Sequence, residues 1–322
     1  MRGSVMSLSN TGGGGRGSDK GNIVGDVILH GKKKYWGKGA DNHSHDMLQA
    51  GENTLKGSLV RLLVRALTAS AASAAAPATA DGVDAELAAF RAANVTFMTT
   101  PDAPKDSYTS TCHRMLFKAM VEGLPLEQCT DNDNHNVDSM DALTLAVPVI
   151  LAQYARSASD DAIAAVALAT IRITRGVSSD FDEYAHAFSK LLLNVQRGED
   201  LRESVETAAD VVFGLSGGQQ LRQMVERVAA EACDGNPMVA CYIDSSFRVL
   251  LFFLYKYADA DMATMALANA NAGGENVARG SLLGAVLGAV LGARSGKGSS
   301  DVMRGCTTGK GSMRRLVPSQ PN

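Results

Sequence analysis

Between Ser159 and Ala232 the apolar residues recur at helical spacing, in segments of about ten to sixteen residues joined by connections of only a few. Connections that short force consecutive helices to lie antiparallel against one another, which commits this part of the chain to a helical bundle. Ser159-Asp160-Asp161 opens an Ala/Ile/Val-rich run to Ile173. Asp180 and Glu183 have capping-box spacing ahead of Tyr184 to Val195, which stops at Gly198. Leu201 to Val212 and Leu221 to Ala232 continue the pattern. One run, Val249 to Tyr255, suits a central strand by residue type, but helical periodicity resumes at Ala260 to Ala270 and no strand partner lies in reach. It is read as a buried helix, and the fold class as all-α.

The remaining composition narrows what such a bundle does. With 322 residues and 45% apolar content, the chain can bury one large core or two smaller ones. A net charge of −3 and a pI near 6.1 give no global attraction to nucleic acid or to a membrane surface, so neither partner is expected. The five cysteines (112, 129, 233, 241 and 306) show no CxxC spacing and are odd in number, and no secretory apolar segment opens the chain. Reduced core cysteines in a cytoplasmic protein are the expectation. Residues 1–22 hold seven glycines and few apolar groups, and residues 294–322 hold six Lys or Arg against one Asp. Disordered tails are expected over 1–22 and 296–322, around one domain spanning 23–295.

Glycines at 280, 284, 288 and 292, with Leu, Val and Ala between them, give a helix with one nearly bare face that another helix can approach closely. Only fourteen uncharged residues separate Arg279 from Arg294, against roughly 20 needed to span a bilayer, so a buried core helix is predicted. Just before it stands Gly273-Gly274-Glu275-Asn276-Val277, an acid and an amide on a double-glycine turn. Far upstream, Gly51-Glu52-Asn53-Thr54 presents the same chemistry ahead of the stripe Leu55, Leu59, Leu62, Leu63, Ala66, Leu67. Helix starts turn backbone N–H groups toward anions, and carboxylates there can collect cations. The two turns are expected to meet in one composite pocket.

Other polar clusters are weaker. Asp131 to Asp138 alternates acids and amides, but it lacks the glycine and the closing glutamate of a calcium loop. His135, Asn136 and Asp138 are candidates for substrate hydroxyls, against the alternative of a helix cap and solvated loop. Lys32-Lys33-Lys34-Tyr35-Trp36 either grips a phosphate or base or is a surface loop pinned by the only Trp. His43 and His45 can share a metal only on a strand or loop. Cys112-His113 is set aside as a nucleophile and base, because neighbours on a helix point apart and no orienting third group is visible.

Together the two turns and the helix pattern resemble the ADP-ribosylglycohydrolase superfamily, over about residues 21–295. The resemblance implies a compact multi-helix orthogonal bundle. It also implies that Gly51-Glu52-Asn53-Thr54 and Gly273-Gly274-Glu275-Asn276-Val277-Ala278 stand at the family's two magnesium-binding turns. Pro148, Thr174-Arg175-Gly176 and Gly284-Ala285 fit the same pattern; the helix with the family's first Gly-Asp-Ala signature is not recognisable. On this correspondence Glu52, Asn53 and Glu275 each replace an Asp, and Val277 and Ala278 stand where an Asp and a Thr belong, which leaves two carboxylates of four. The implied metal ligands are Glu52, Asn53, Glu275 and Asn276, holding one magnesium ion at most or none. Glu52 and Glu275 are the implied catalytic acids, and Gly273 and Gly274 join the substrate contacts. Two functions remain open. One is a divergent hydrolase cleaving a glycosidic bond of an ADP-ribose adduct; the other is a catalytically silent protein that binds ADP-ribose or serves a structural, crystallin-like role.

Overall fold

The stripe that begins at Leu55 folds as α1 (Leu55–Ser73), with Leu55, Leu59, Leu63 and Leu67 buried along one side. It packs on α2 (Ala80–Thr99), whose Leu87, Phe90 and Met98 are buried. A shorter α3 (Thr111–Val121) follows. A 3-10 segment, Met140–Leu145, then runs directly into α4 (Ala146–Ala155). The computed structural model describes residues 23–36, 45–49, 51–73, 80–130, 138–230 and 242–295. The glycine-rich start, the basic end, His43, and the candidate residues His135 and Asn136 lie outside them.

The hairpin series comes next, as α5 (Asp160–Ile171), α6 (Phe181–Gln196), α7 (Leu201–Phe213) and α8 (Gly217–Ala230). From α4 to α8 each helix packs on the next, the neighbour relation that short connections impose. Ser159 caps α5 by accepting from Ala162 N, and Asp200 caps α7 by accepting from Arg202 N and Glu203 N. Asp180 makes no such bond. Its backbone is already helical, at φ −66° and ψ −26°, and the turn before α6 is closed instead by Phe181 N donating to Ser178 O and Asp182 N to Ser179 O.

Three helices complete the bundle: α9 (Ile243–Lys256), α10 (Met262–Ala272) and α11 (Asn276–Ser295). The run from Val249 to Leu254 is fully buried in α9, so its apolar continuity reflects a helix surrounded on all sides. Helix α11 is long and apolar enough to cross a membrane by length and composition, with 44% of Asn276–Ala293 buried inside the fold. It packs on α6, α9 and α10. Close approach is required at Gly280, where a Cβ would fall 2.9 Å from Asn269 Nδ2; Gly284 faces open space. The described residues form eleven α-helices and no strand, an all-α fold.

Among the described residues, two apolar clusters fill the interior. One gathers Trp36 and the buried faces of α1, α2 and α3; the other gathers α5 to α11. Met140–Leu145 and α4 belong to both, since Met140, Leu143 and Ile150 face the second cluster while Leu145 and Val149 face the first. Asp141 sits within this shared wall, 6% exposed.

Candidate active site

An acid inside a shared apolar wall is costly unless it is paired and hydrogen-bonded. Asp141 is both. Arg175, just past the end of α5 and 2% exposed, grips it with two bonds, Nη1 to Oδ1 at 2.9 Å and Nη2 to Oδ2 at 3.0 Å. Ser139 Oγ donates to Asp141 Oδ1 and accepts from Arg175 Nη1 at 3.0 Å. Lys56, in the first turn of α1, approaches from the other cluster, its Nζ 3.6 Å from Asp141 Oδ2. The same Nζ lies 3.3 Å from Glu275 Oε2.

That last pair brings the two helix starts together through Lys56, a residue of α1 itself and not of the Gly51–Thr54 turn. Lys56 and Glu275 are 219 residues apart in sequence, and their contact places the start of α1 against the start of α11. Glu275 is 21% exposed, so this is the edge of the cluster nearest solvent. Gly273 and Gly274 have φ of +70° and +65°, a left-handed pair that only glycine adopts without strain. Asn276 is occupied locally, its Nδ2 donating to Ala270 O and its carbonyl accepting from Asn269 Nδ2. Arg279, 1% exposed, donates to Asn269 Oδ1 and Gly273 O and lies over the Phe253 ring.

The first turn is built differently from its sequence expectation. Glu52 is exposed, and its carboxylate accepts from Gln49 N at 3.0 Å; Asn53 is exposed beside it. Two residues satisfy the start of α1: Thr54, whose Oγ1 accepts from Gly57 N at 3.4 Å, and Asp106, 1% exposed, which accepts from Leu55 N at 2.8 Å and Tyr108 N at 3.1 Å. His45 Nδ1 meets the Asp106 carboxylate at 2.9 Å. Asp138 is likewise committed, accepting from Ser178 N and, through its carbonyl, from Ile243 N. The basic segment at 32–36 is pinned by its Trp: Trp36 Nε1 donates to Ser107 O, and Arg114 stacks over the ring.

Charges in the cluster reinforce one another. Burial would push the Asp141 carboxyl up, but Arg175 and Lys56 hold it far below the ordinary carboxylate range. Burial would likewise lower Lys56 and Arg175, yet Asp141 holds both well above their usual values, with Glu275 adding to the hold on Lys56. Tyr108 is pushed up to about 12 by burial, against the pull of Lys56. Burial lowers Arg279 to about 10, with Glu275 partly offsetting it.

Behind Arg175 the structure corrects the reading of Cys112-His113. At the first turn of α3 the two side chains point together, Sγ to Nδ1 at 3.3 Å, because both turn back toward Ser110 Oγ. Burial would raise the Cys112 thiol, but Arg175 and His113 bring it down to about 7. Cys112 is fully buried. A separate cavity of about 210 Å³ between α5 and α6 is lined by Asp160, Asp161, His186 and Lys190 and shares no residue with this cluster.

The family model described as ADP-ribosylglycohydrolase matches residues 20–295, which include both turns, the shared wall and Arg175. This chain belongs to the ADP-ribosylglycohydrolase family. No curated protein and no solved structure matches it. Within the family correspondence, Ala278 is buried and Val277 half-buried, and neither side chain carries an oxygen. Lys56, Asp106, Asp141 and Arg175 are absent from the sequence reading of the site. Two of them had a usable signal: Asp141 interrupts an apolar run, and Arg175 lies in the Thr174-Arg175-Gly176 helix end.

Proposed function

We propose that this ADP-ribosylglycohydrolase family member recognises an ADP-ribosyl group where the starts of α1 and α11 adjoin, without metal-assisted hydrolysis. The observation that carries the reading is the position of Lys56 between Glu275 and Asp141. Magnesium takes octahedral oxygen ligands at short range and is usually held by one or two carboxylates plus water. Here the one implied acidic ligand at the junction, Glu275, is already neutralised by an ammonium. Asn276 commits its Nδ2 to Ala270 O and offers only a neutral amide oxygen, the Val277 and Ala278 side chains carry no oxygen, and the bond Glu52 makes is to its own loop. These residues do not fit the two-ion centre that the family implies, and they argue against a single ion at Glu275.

What remains suits recognition. The Gly273-Gly274 turn and the start of α11 present backbone to an anionic group, and Lys56 adds positive charge beside them, whereas the start of α1 is already taken by Asp106. The Glu275 carboxylate can accept from ribose hydroxyls at the solvent edge. A second reading, residual hydrolysis with Glu275 orienting water, is favoured by its partial exposure. Calorimetry with ADP-ribose, paired with release of ADP-ribose from a modified peptide, separates them. Binding without release supports the proposal, and release that Glu275→Gln abolishes moves the assignment to the hydrolase. Neither binding nor release leaves a structural, crystallin-like role.

A further inference from the structure

Asp141, on the 3-10 segment, and Glu275, on the turn ahead of α11, face one common point, and a gap between two carboxylates in a half-dry site attracts a cation. In this chain the gap contains the Lys56 ammonium, 3.6 Å from one carboxylate and 3.3 Å from the other, on a side chain only 16% exposed. With Arg175 on the far side of Asp141, the four groups sum to zero charge. A divalent ion entering that gap would meet the ammonium at contact distance and gain no net negative charge to offset it. We propose that Lys56 is a tethered cation that fills the ion-binding gap between Asp141 and Glu275, so that the native protein excludes divalent ions there and loses that exclusion when the ammonium is removed. Lysine suits the role because its ammonium is a compact charge on a long apolar stem, here rooted in the first turn of α1. The inference rests on the metal-free part of the function proposed above, yet it concerns cations alone and needs no nucleotide.

The test uses the full chain with manganese as a spectroscopic probe and magnesium in thermal melts. Wild-type protein should bind no manganese that Glu275→Gln removes, and its melting temperature should not move with magnesium. Lys56→Met keeps the apolar stem and deletes the charge. It should melt lower in chelator, regain part of the loss in magnesium, and bind one manganese ion, while Lys56→Arg should stay ion-free. Manganese bound by the wild type and released by Glu275→Gln overturns the proposal, as does a folded Lys56→Met that neither binds manganese nor responds to magnesium. Should Lys56→Met fail to fold in every buffer, the wild-type titration decides alone. ADP-ribose binding is measured separately, so either claim can fail without the other.

Discussion

Ion pairs occupy two very different regions of this molecule. At the junction of the two apolar clusters, Asp141, Arg175, Lys56 and Glu275 are buried or nearly so and share their oxygens and protons. Across the outer surface of the hairpin series, Arg197 pairs with Asp160, Arg172 with Asp182 and Arg202 with Asp259, all with substantial exposure. Bond length would rank the exposed set first, at 2.5–2.8 Å against 2.9–3.6 Å in the buried set. Solvent reverses that order: a surface pair exchanges one well-solvated state for another, whereas a buried charge that loses its partner cannot return to water. The buried set therefore decides whether the two clusters stay joined, and the exposed set adds solubility and local order.

The largest expected effect comes from orphaning the deepest charge. Arg175→Met should destabilise the protein by about 3–5 kcal/mol in urea denaturation, because Asp141 is left buried and loses the closer of its two cations. Arg175→Met combined with Asp141→Leu should recover much of that loss, since a well-packed apolar replacement of a buried pair is often near neutral. A cost for Arg175→Met no greater than that of a surface pair would erase the distinction between the regions.

Next in size is the cap that holds α1 against this junction. Asp106→Ala removes the acceptor for Leu55 N, which lies in a buried setting, and should cost about 1–3 kcal/mol. It should also displace Lys56, so wild-type-like contact between residues 56 and 275 should be lost in a cross-linking or NMR measurement. Glu52→Ala, by contrast, removes a bond within an exposed loop and should leave the melt nearly unchanged.

The Cys112 thiol gives the region a pH signature. Its folded value of about 7 lies below its ordinary 9.0, so the fold favours the thiolate. That contribution is present in full above pH 9 and is lost as pH falls toward 7. Stability should therefore rise between these values by on the order of 1–3 kcal/mol, and Cys112→Ala should flatten the rise in denaturation at several pH values. Tyr108 sets the upper edge: with its value raised from 10.0 to about 12, it favours the neutral phenol and withdraws stability as pH climbs between them.

The fold is legible in the sequence because helical periodicity is written in many residues at once. Leu55, Leu59, Leu63 and Leu67 predict α1 even if one is misread, and the short connections predict which helices touch. The site is less so. The double glycine and Glu275 stand out because two adjacent glycines directly ahead of an apolar helix mark a backbone that must turn left-handed before the helix starts. Asp106 is invisible because it helps cap a helix start 51 residues away in sequence, and nothing in the local pattern around Asp106 announces a distant N-terminus. Lys56 is hidden for a different reason: on a helix surface a lysine ordinarily faces water, and only the arrival of Glu275 from the other end of the chain turns it into an interior charge. Cys112-His113 escapes the spacing rule because that rule assumes a mid-helix position, whereas at a first turn the side chains are free to bend toward Ser110.

The smallest effect belongs to the exposed set and tests the comparison from its other end. Arg197 makes two bonds to Asp160, one at 3.0 Å and one at 2.5 Å, geometry as good as that of the buried pair. If geometry governed the energy, Arg197→Ala would rival Arg175→Met. Both partners are more than a third exposed, so the Coulomb gain is screened and the ordering of a long side chain opposes it. A double-mutant cycle on Arg197 and Asp160 should return about 0–1 kcal/mol, falling further as salt is raised. The same cycle on Arg175 and Asp141 should return several-fold more and change little with salt, because counterions that screen the surface do not enter a wall that excludes water.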